Sequence, residues 1–197
     1  GGGWRYGIQD PGDTSVVGWQ IMALKSGHMA YLTVQASTVR GASKFLDFVQ
    51  AEDGAFYGYT EPARRSSTTA IGLLCRMYLG WKQDNPALQA GIAHLDRTGP
   101  SETNFYYNYY ATQVMFQYTG GKTSHPMWDK WNTKMKNQLI ATQAKEGHAA
   151  GSWFAGNDHC KLKGGRLYCT AMGAMILEVY YRHMPIYREQ ATTDDFP

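Results

Sequence analysis

The chain has 197 residues and a mass of 22.1 kDa, the size of one ordinary domain or two small ones. It is 43% hydrophobic, 14% aromatic and only 18% charged, which excludes the disordered class and leaves much ring surface to bury. Its net charge of +3 is too weak an overall bias to make nucleic acid or an anionic membrane the main partner, and three cysteines exclude a disulfide scaffold.

Hydrophobic spacing is helical almost throughout and predicts seven helices, near 13–26, 36–51, 67–80, 86–97, 105–119, 126–143 and 167–183. The first, from Val16 to Leu24, and the third, from Ile71 to Leu79, are apolar on most sides and are expected to be buried all round. The second and sixth carry Lys and Asp between apolar positions and keep one face wet. Gly and Pro clusters separate the helices, among them Asp10-Pro11-Gly12, Glu61-Pro62, Asn85-Pro86, Gly120-Gly121 and His125-Pro126. Strand-type alternation is nearly missing, and no apolar run approaches the roughly 20 residues of a membrane span. The chain opens Gly1-Gly2-Gly3-Trp4 with neither an initiator Met nor a leader pattern. It therefore reads as a fragment or a processed product, and its compartment stays open.

The chain also repeats itself. Asp13-Thr14-Ser15-Val16-Val17-Gly18 aligns with Ser67-Thr68-Thr69-Ala70-Ile71-Gly72, with Asn108-Tyr109-Tyr110-Ala111-Thr112-Gln113 and with Tyr168-Cys169-Thr170-Ala171-Met172-Gly173. Three of the four copies end on a mid-helix glycine, which costs about 1 kcal/mol against alanine. Such a residue in register implies that another backbone passes close by. Four copies of a loop, a buried helix and an amphipathic return helix describe an array of helical hairpins.

Two linkers carry a longer pattern. Phe45-Leu46 leads to Gln50, Gly54 and Phe56, and Met135 and Leu139 lead to Gln143, Gly147, Gly151 and Trp153. This resembles the QW repeat of squalene and oxidosqualene cyclases, whose wider family includes the protein prenyltransferase β-subunits; Phe56 stands where the pattern has Trp. An amide at a helix end can satisfy orphan backbone groups while lying beside an indole. Blocks such as Thr69-Ala70-Ile71-Gly72-Leu73-Leu74 and Tyr109-Tyr110-Ala111-Thr112-Gln113 are similar to the prenyltransferase/squalene-oxidase-repeat proteins of planctomycete bacteria.

The resemblance implies an all-α fold: an incomplete α/α toroid of about three and a half hairpins over residues 1–188, with a loose tail at 189–197. Helices one, three, five and seven would be inner and the others outer. The open edges would take the remainder of the toroid or a second copy of the chain. Class II terpene cyclases enter an inner helix through DxDD, whose central Asp is the acid. Here Asp10 and Asp13 match the outer positions, but Gly12 stands at the centre, and Asp13 can equally be the cap of the first helix. Cyclases line their cavities with rings that face cations, which makes Trp4, Trp19, Tyr78, Tyr106, Tyr109 and Tyr110 the candidates to line an isoprenoid-like apolar ligand; packing in the core is the competing role. Prenyltransferases hold zinc with Asp, Cys and His. Asp158, Cys160 and Cys169 make only a weak set, a Cys160–Cys169 disulfide or free thiols compete with it, and neither zinc nor any other cofactor is expected. The resemblance therefore implies a non-catalytic scaffold or binding module with a concave aromatic face. A terpenoid cyclase or prenyl-group enzyme, its acid supplied by a missing half, is the alternative.

Overall fold

The computed structural model describes residues 2–121, 124–156, 163–182 and 196. Among them are the helices α1 (Thr14–Met29), α2 (Ala36–Val49), α3 (Ser66–Tyr78), α4 (Pro86–Thr98), α5 (Phe105–Tyr118), α6 (Pro126–Thr142), α7 (Gly165–Leu177) and α8 (Val179–Arg182). The strands β1 (Gln50–Ala51) and β2 (Phe56–Tyr57) pair antiparallel, Gln50 opposite Tyr57 and Ala51 opposite Phe56. The fold is all-α apart from this short ladder, and it is repeat-like.

Local chemistry sets the helix starts. Asp13 caps α1 by accepting from the Val16 N–H, and Asn104 caps α5 by accepting from that of Tyr107. Asn85 accepts from the N–H groups of Ala87 and Leu88, and Pro86 and Pro126 occupy first-turn positions where a missing N–H costs nothing. The helix ends are equally regular. In α1, α3 and α5 an N–H beyond the last turn bonds back to a carbonyl five residues earlier: Leu32 to Gly27, Trp81 to Arg76 and Gly121 to Phe116. A residue in the left-handed region precedes each of these donors.

The chain divides into two compact units, the first reaching Leu95 and the second beginning at Asp96. In the first, α1 packs on α2 and α3, and β2 lies against α3. In the second, α5 packs on α6, α7 and α8. α2 and α6 bury single stripes, Val39, Ala42, Leu46 and Val49 on the first and Trp128, Trp131, Met135 and Leu139 on the second.

The four helices expected to be inner are not alike. α3 is buried without interruption from Thr68 to Tyr78, and α5 from Tyr107 to Gln117. α1 buries only Thr14, Val17, Gly18 and Ile21, and α7 only Cys169, Met172, Gly173 and Ile176. The expectation that the first helix is buried all round is therefore corrected. Its apolar residues outnumber its neighbours, so one face packs and Met22, Leu24 and Trp19 stay partly open. Of the tail, all but Phe196 lies outside the described residues.

Candidate functional site

The acid motif separates into two unrelated tasks. Asp10 is exposed, and its Oδ2 accepts from the Gly7 N–H at 3.0 Å. Asp13 is fully buried; its N–H donates to the Trp4 carbonyl at 3.0 Å, and its Oδ1 accepts from Ser15 Oγ at 2.5 Å and the Val16 N–H at 3.0 Å. Its Oδ2 has no hydrogen-bond partner among the described residues, and Arg5 Nε lies 3.7 Å away. Burial raises the pKa of the Tyr59 phenol, and the Asp13 charge adds to that shift. Between the two carboxylates, position 12 is sterically closed. A Cβ on Gly12 would lie 2.5 Å from the Gly3 Cα and 2.9 Å from the Phe45 ring. A backbone crossing occupies the place where the cyclase pattern has its acid.

The two QW-like linkers build the same junction twice. In the second unit, the Trp153 N–H donates to Thr170 Oγ1 at 3.1 Å, and its indole Nε1 donates to the Leu139 carbonyl of α6 at 2.8 Å. Gln143 Nε2 donates to the Gly151 carbonyl at 2.9 Å and closes the loop. The indole lies on Gly173, where a Cβ would come 3.1 Å from the ring. The helix end is thus satisfied by the indole, and the amide serves the loop.

In the first unit, Tyr57 plays the part of Trp153. Its N–H donates to Thr69 Oγ1 at 3.1 Å, its carbonyl accepts from Thr68 Oγ1 at 2.5 Å, and its ring lies on Gly72, where a Cβ would come 2.2 Å from Cγ. Phe56, the residue expected in this role, instead sits edge-on to His94 with Arg64 over its face at 4.2 Å. What approaches Gly72 and Gly173 is therefore a ring from the preceding linker. The backbone-to-backbone approach expected there is found at Gly3 and Gly12 instead.

Arg76 completes the first junction. Its side chain is nearly buried, and it donates to Tyr57 Oη at 3.0 Å, Ser43 Oγ at 3.3 Å, Asp47 Oδ1 at 2.5 Å and Gln50 Oε1 at 3.0 Å. The Trp81 ring lies 5.0 Å from its guanidinium carbon. Burial opposes the Arg76 charge, yet the Tyr57 phenol and the Asp47 carboxylate more than offset it and raise the pKa. Burial pushes the Tyr57 phenol up to about 12. A cation inside the otherwise apolar run from Ile71 to Leu79 was the signal for this centre. Gly54 closes the linker, with a Cβ position 2.6 Å from Trp81 and 3.0 Å from Gln50 Oε1.

The third copy substitutes an amide for the threonines. Asn108 accepts from the Ser101 N–H at 2.8 Å and donates to its carbonyl at 2.7 Å. Nearby, Trp131 Nε1 donates to Thr112 Oγ1 at 3.0 Å.

Of the aromatic candidates, Tyr109 and Tyr110 are fully buried and meet edge-to-face at 5.1 Å, and Tyr106 meets Tyr110 at the same distance. Tyr78 is buried, while Trp4 and Trp19 are half-buried. A cleft of about 100 Å³ in the second unit, at the end of α4, is lined by Asp96, Gly99, Pro100, Lys130, Trp131 and Lys134 and by none of these six rings. Cys169 carries a buried free thiol, one of the two states weighed for it; Cys160 and Asp158 lie outside the described residues. No group of three His, Cys, Asp or Glu side chains converges on a metal position among the described residues. Among the same residues, no helix is long and apolar enough to cross a membrane.

Comparison with models of known protein families, with curated proteins and with solved structures gave no match.

Proposed function

We propose that this chain is a segment of a squalene-cyclase- and prenyltransferase-like α/α toroid that serves as a non-catalytic scaffold or binding module. One observation carries the reading: the residues of its chemistry-bearing motifs are engaged in joining hairpins. Thr68, Thr69 and Thr170 clamp linker backbone, Tyr57 and Trp153 lie on glycines, and Asp13 caps a helix. In place of the acid stands Gly12, where no side chain fits. The partly open faces of α1 and α7 suit the remainder of the toroid or a second copy of the chain, and the aromatic inner helices suit an apolar, isoprenoid-like ligand. Incubation with squalene, farnesyl diphosphate or geranylgeranyl diphosphate should give no cyclised or transferred product, and a product dependent on the protein would overturn the proposal.

One observation favours the alternative, a terpenoid cyclase or prenyl-group enzyme. A fully buried carboxylate at the mouth of an inner helix, its Oδ2 3.7 Å from the Arg5 guanidinium and beside the Tyr59 phenol, is costly to keep charged unless something uses it. On that reading Asp13→Asn abolishes turnover while the helix cap, and so the fold, survives.

A further inference from the structure

The turn between α1 and α2 differs from the ends of α3 and α5. All three helices close with the same backbone geometry, and α3 and α5 use glycine at the left-handed position, Gly80 at φ 99° and Gly120 at φ 67°. α1 uses Tyr31 at φ 59°, a conformation that bulky side chains rarely adopt. The ring gains nothing from packing there, since Tyr31 is 92% exposed, and Leu32 and Met29 beside it are 65% and 45% exposed. Strain and exposure at one aromatic residue point to a role outside the folded core.

Two further features identify the occupant. The first is reach. α1 and α3 start level, because Thr14 bonds the carbonyls of Gly58 and Tyr59 while Thr68 and Thr69 bond Tyr57. α1 then continues five residues further than α3 from these anchors, so its tip overhangs its neighbour by roughly 7 Å at the helical rise. The second is charge. Between Asp13 and Asp47 the chain holds Lys25, Arg40 and Lys44 and no carboxylate, so the α1–α2 hairpin, Asp47 included, carries +2 of the formal charge of +3. Lys25 and Arg40 lie about one turn back from the tip on its two arms. The ring of Phe196 sits edge-on to His28 and under the Lys25 ammonium, leaving Tyr31 and Leu32 open.

We propose that the α1–α2 tip anchors the protein to the surface of an anionic phospholipid membrane. Three apolar side chains are too few for a stable protein interface, which needs roughly 800 Å² per partner. They suffice for a wedge at the headgroup boundary, where tyrosine sits well and basic residues a turn behind meet lipid phosphates.

Vesicle flotation tests the assignment. The protein should float with phosphatidylcholine vesicles containing phosphatidylglycerol, and at least tenfold less with phosphatidylcholine alone. Tyr31→Gly and Leu32→Ser should each reduce flotation at least tenfold, with Tyr31→Gly keeping or raising the thermal midpoint because it relieves the left-handed strain. Arg40→Glu should weaken binding several-fold, and Ile140→Ser, on an exposed face of the second unit, should leave it unchanged. Absence of flotation on anionic vesicles overturns the proposal. So does flotation that salt abolishes but the two apolar variants leave intact, since charge alone would then be responsible.

Discussion

The two linker junctions perform one mechanical task with different chemistry. In the second unit a single indole satisfies a helix end, lies on Gly173 and donates its backbone N–H to Thr170. In the first a phenol lies on Gly72, and its hydroxyl is held by Arg76, which also gathers Ser43, Asp47 and Gln50. One aromatic donor is replaced by a cation and its set of acceptors. The repeat thus preserves geometry, a ring on a glycine and a polar clamp on the linker, rather than residue identity. The indole junction depends on two hydrogen bonds from Trp153, to Thr170 and to the Leu139 carbonyl, and on packing. The arginine junction depends on a nearly buried charge that stays satisfied only while all its partners remain.

That contrast can be broken deliberately. Arg76→Ala should have the largest effect, about 4 kcal/mol in urea unfolding, because it empties a nearly buried site and leaves the Tyr57 hydroxyl and Gln50 Oε1 without their donor, while the exposed Asp47 turns to water. Gly72→Ala should follow at about 3 kcal/mol, since the new methyl meets the Tyr57 ring at 2.2 Å. Gly173→Ala, at 3.1 Å from Trp153, should cost under about 1 kcal/mol once helix propensity is returned. Equal costs at the two glycines would show that the two rings press on them alike, against the closer contact at Gly72.

Alkaline titration separates the junctions next. The Tyr57 phenol is raised from 10.0 to about 12 in the folded state by burial. Below pH 10 it is neutral whether folded or unfolded. Between pH 10 and about 12 only the unfolded chain releases the proton, so stability falls by about 1.4 kcal/mol per pH unit. The Cys75 thiol, raised by burial from 9.0 to about 12, adds a similar slope from pH 9. Tyr57→Phe should remove its share of that slope, as followed by circular dichroism at fixed urea, and an unchanged slope would place the titrating group elsewhere. Trp153→Phe should fall between the two glycine variants, at about 1–2 kcal/mol, for the lost indole hydrogen bond and a smaller ring; the Leu139 carbonyl keeps the Gln143 N–H.

Much of the secondary structure was legible in the residues. Asp13, Asn104, Pro86 and Pro126 mark helix starts by local chemistry that tertiary context did not override; six of the seven expected helices are present within a few residues of their predicted bounds, and the seventh, expected over 167–183, is divided at Glu178 into α7 and α8. The recurrence of Gly72 and Gly173 was visible too, but not its cause. The ring that meets each glycine comes from the linker fifteen or twenty positions upstream, beyond the range of any helical period. Phe56 and Tyr57 could not be told apart, because only the pairing of β2 with Gln50–Ala51 decides which ring turns toward α3. The capping role of Asp13 could be read from its place before an apolar run. The closure of position 12 could not, because it depends on the chain folding back so that Gly3 meets Gly12.

The stretch from Tyr57 to Tyr59 serves two masters: it receives the threonines of α3 on one side and Thr14 of α1 on the other. Successive hairpins are consequently interlocked rather than merely stacked. Excising the first would strip hydrogen bonds from the second, so evolution could lengthen or shorten such an array cleanly only by splicing at boundaries offset from the hairpins themselves.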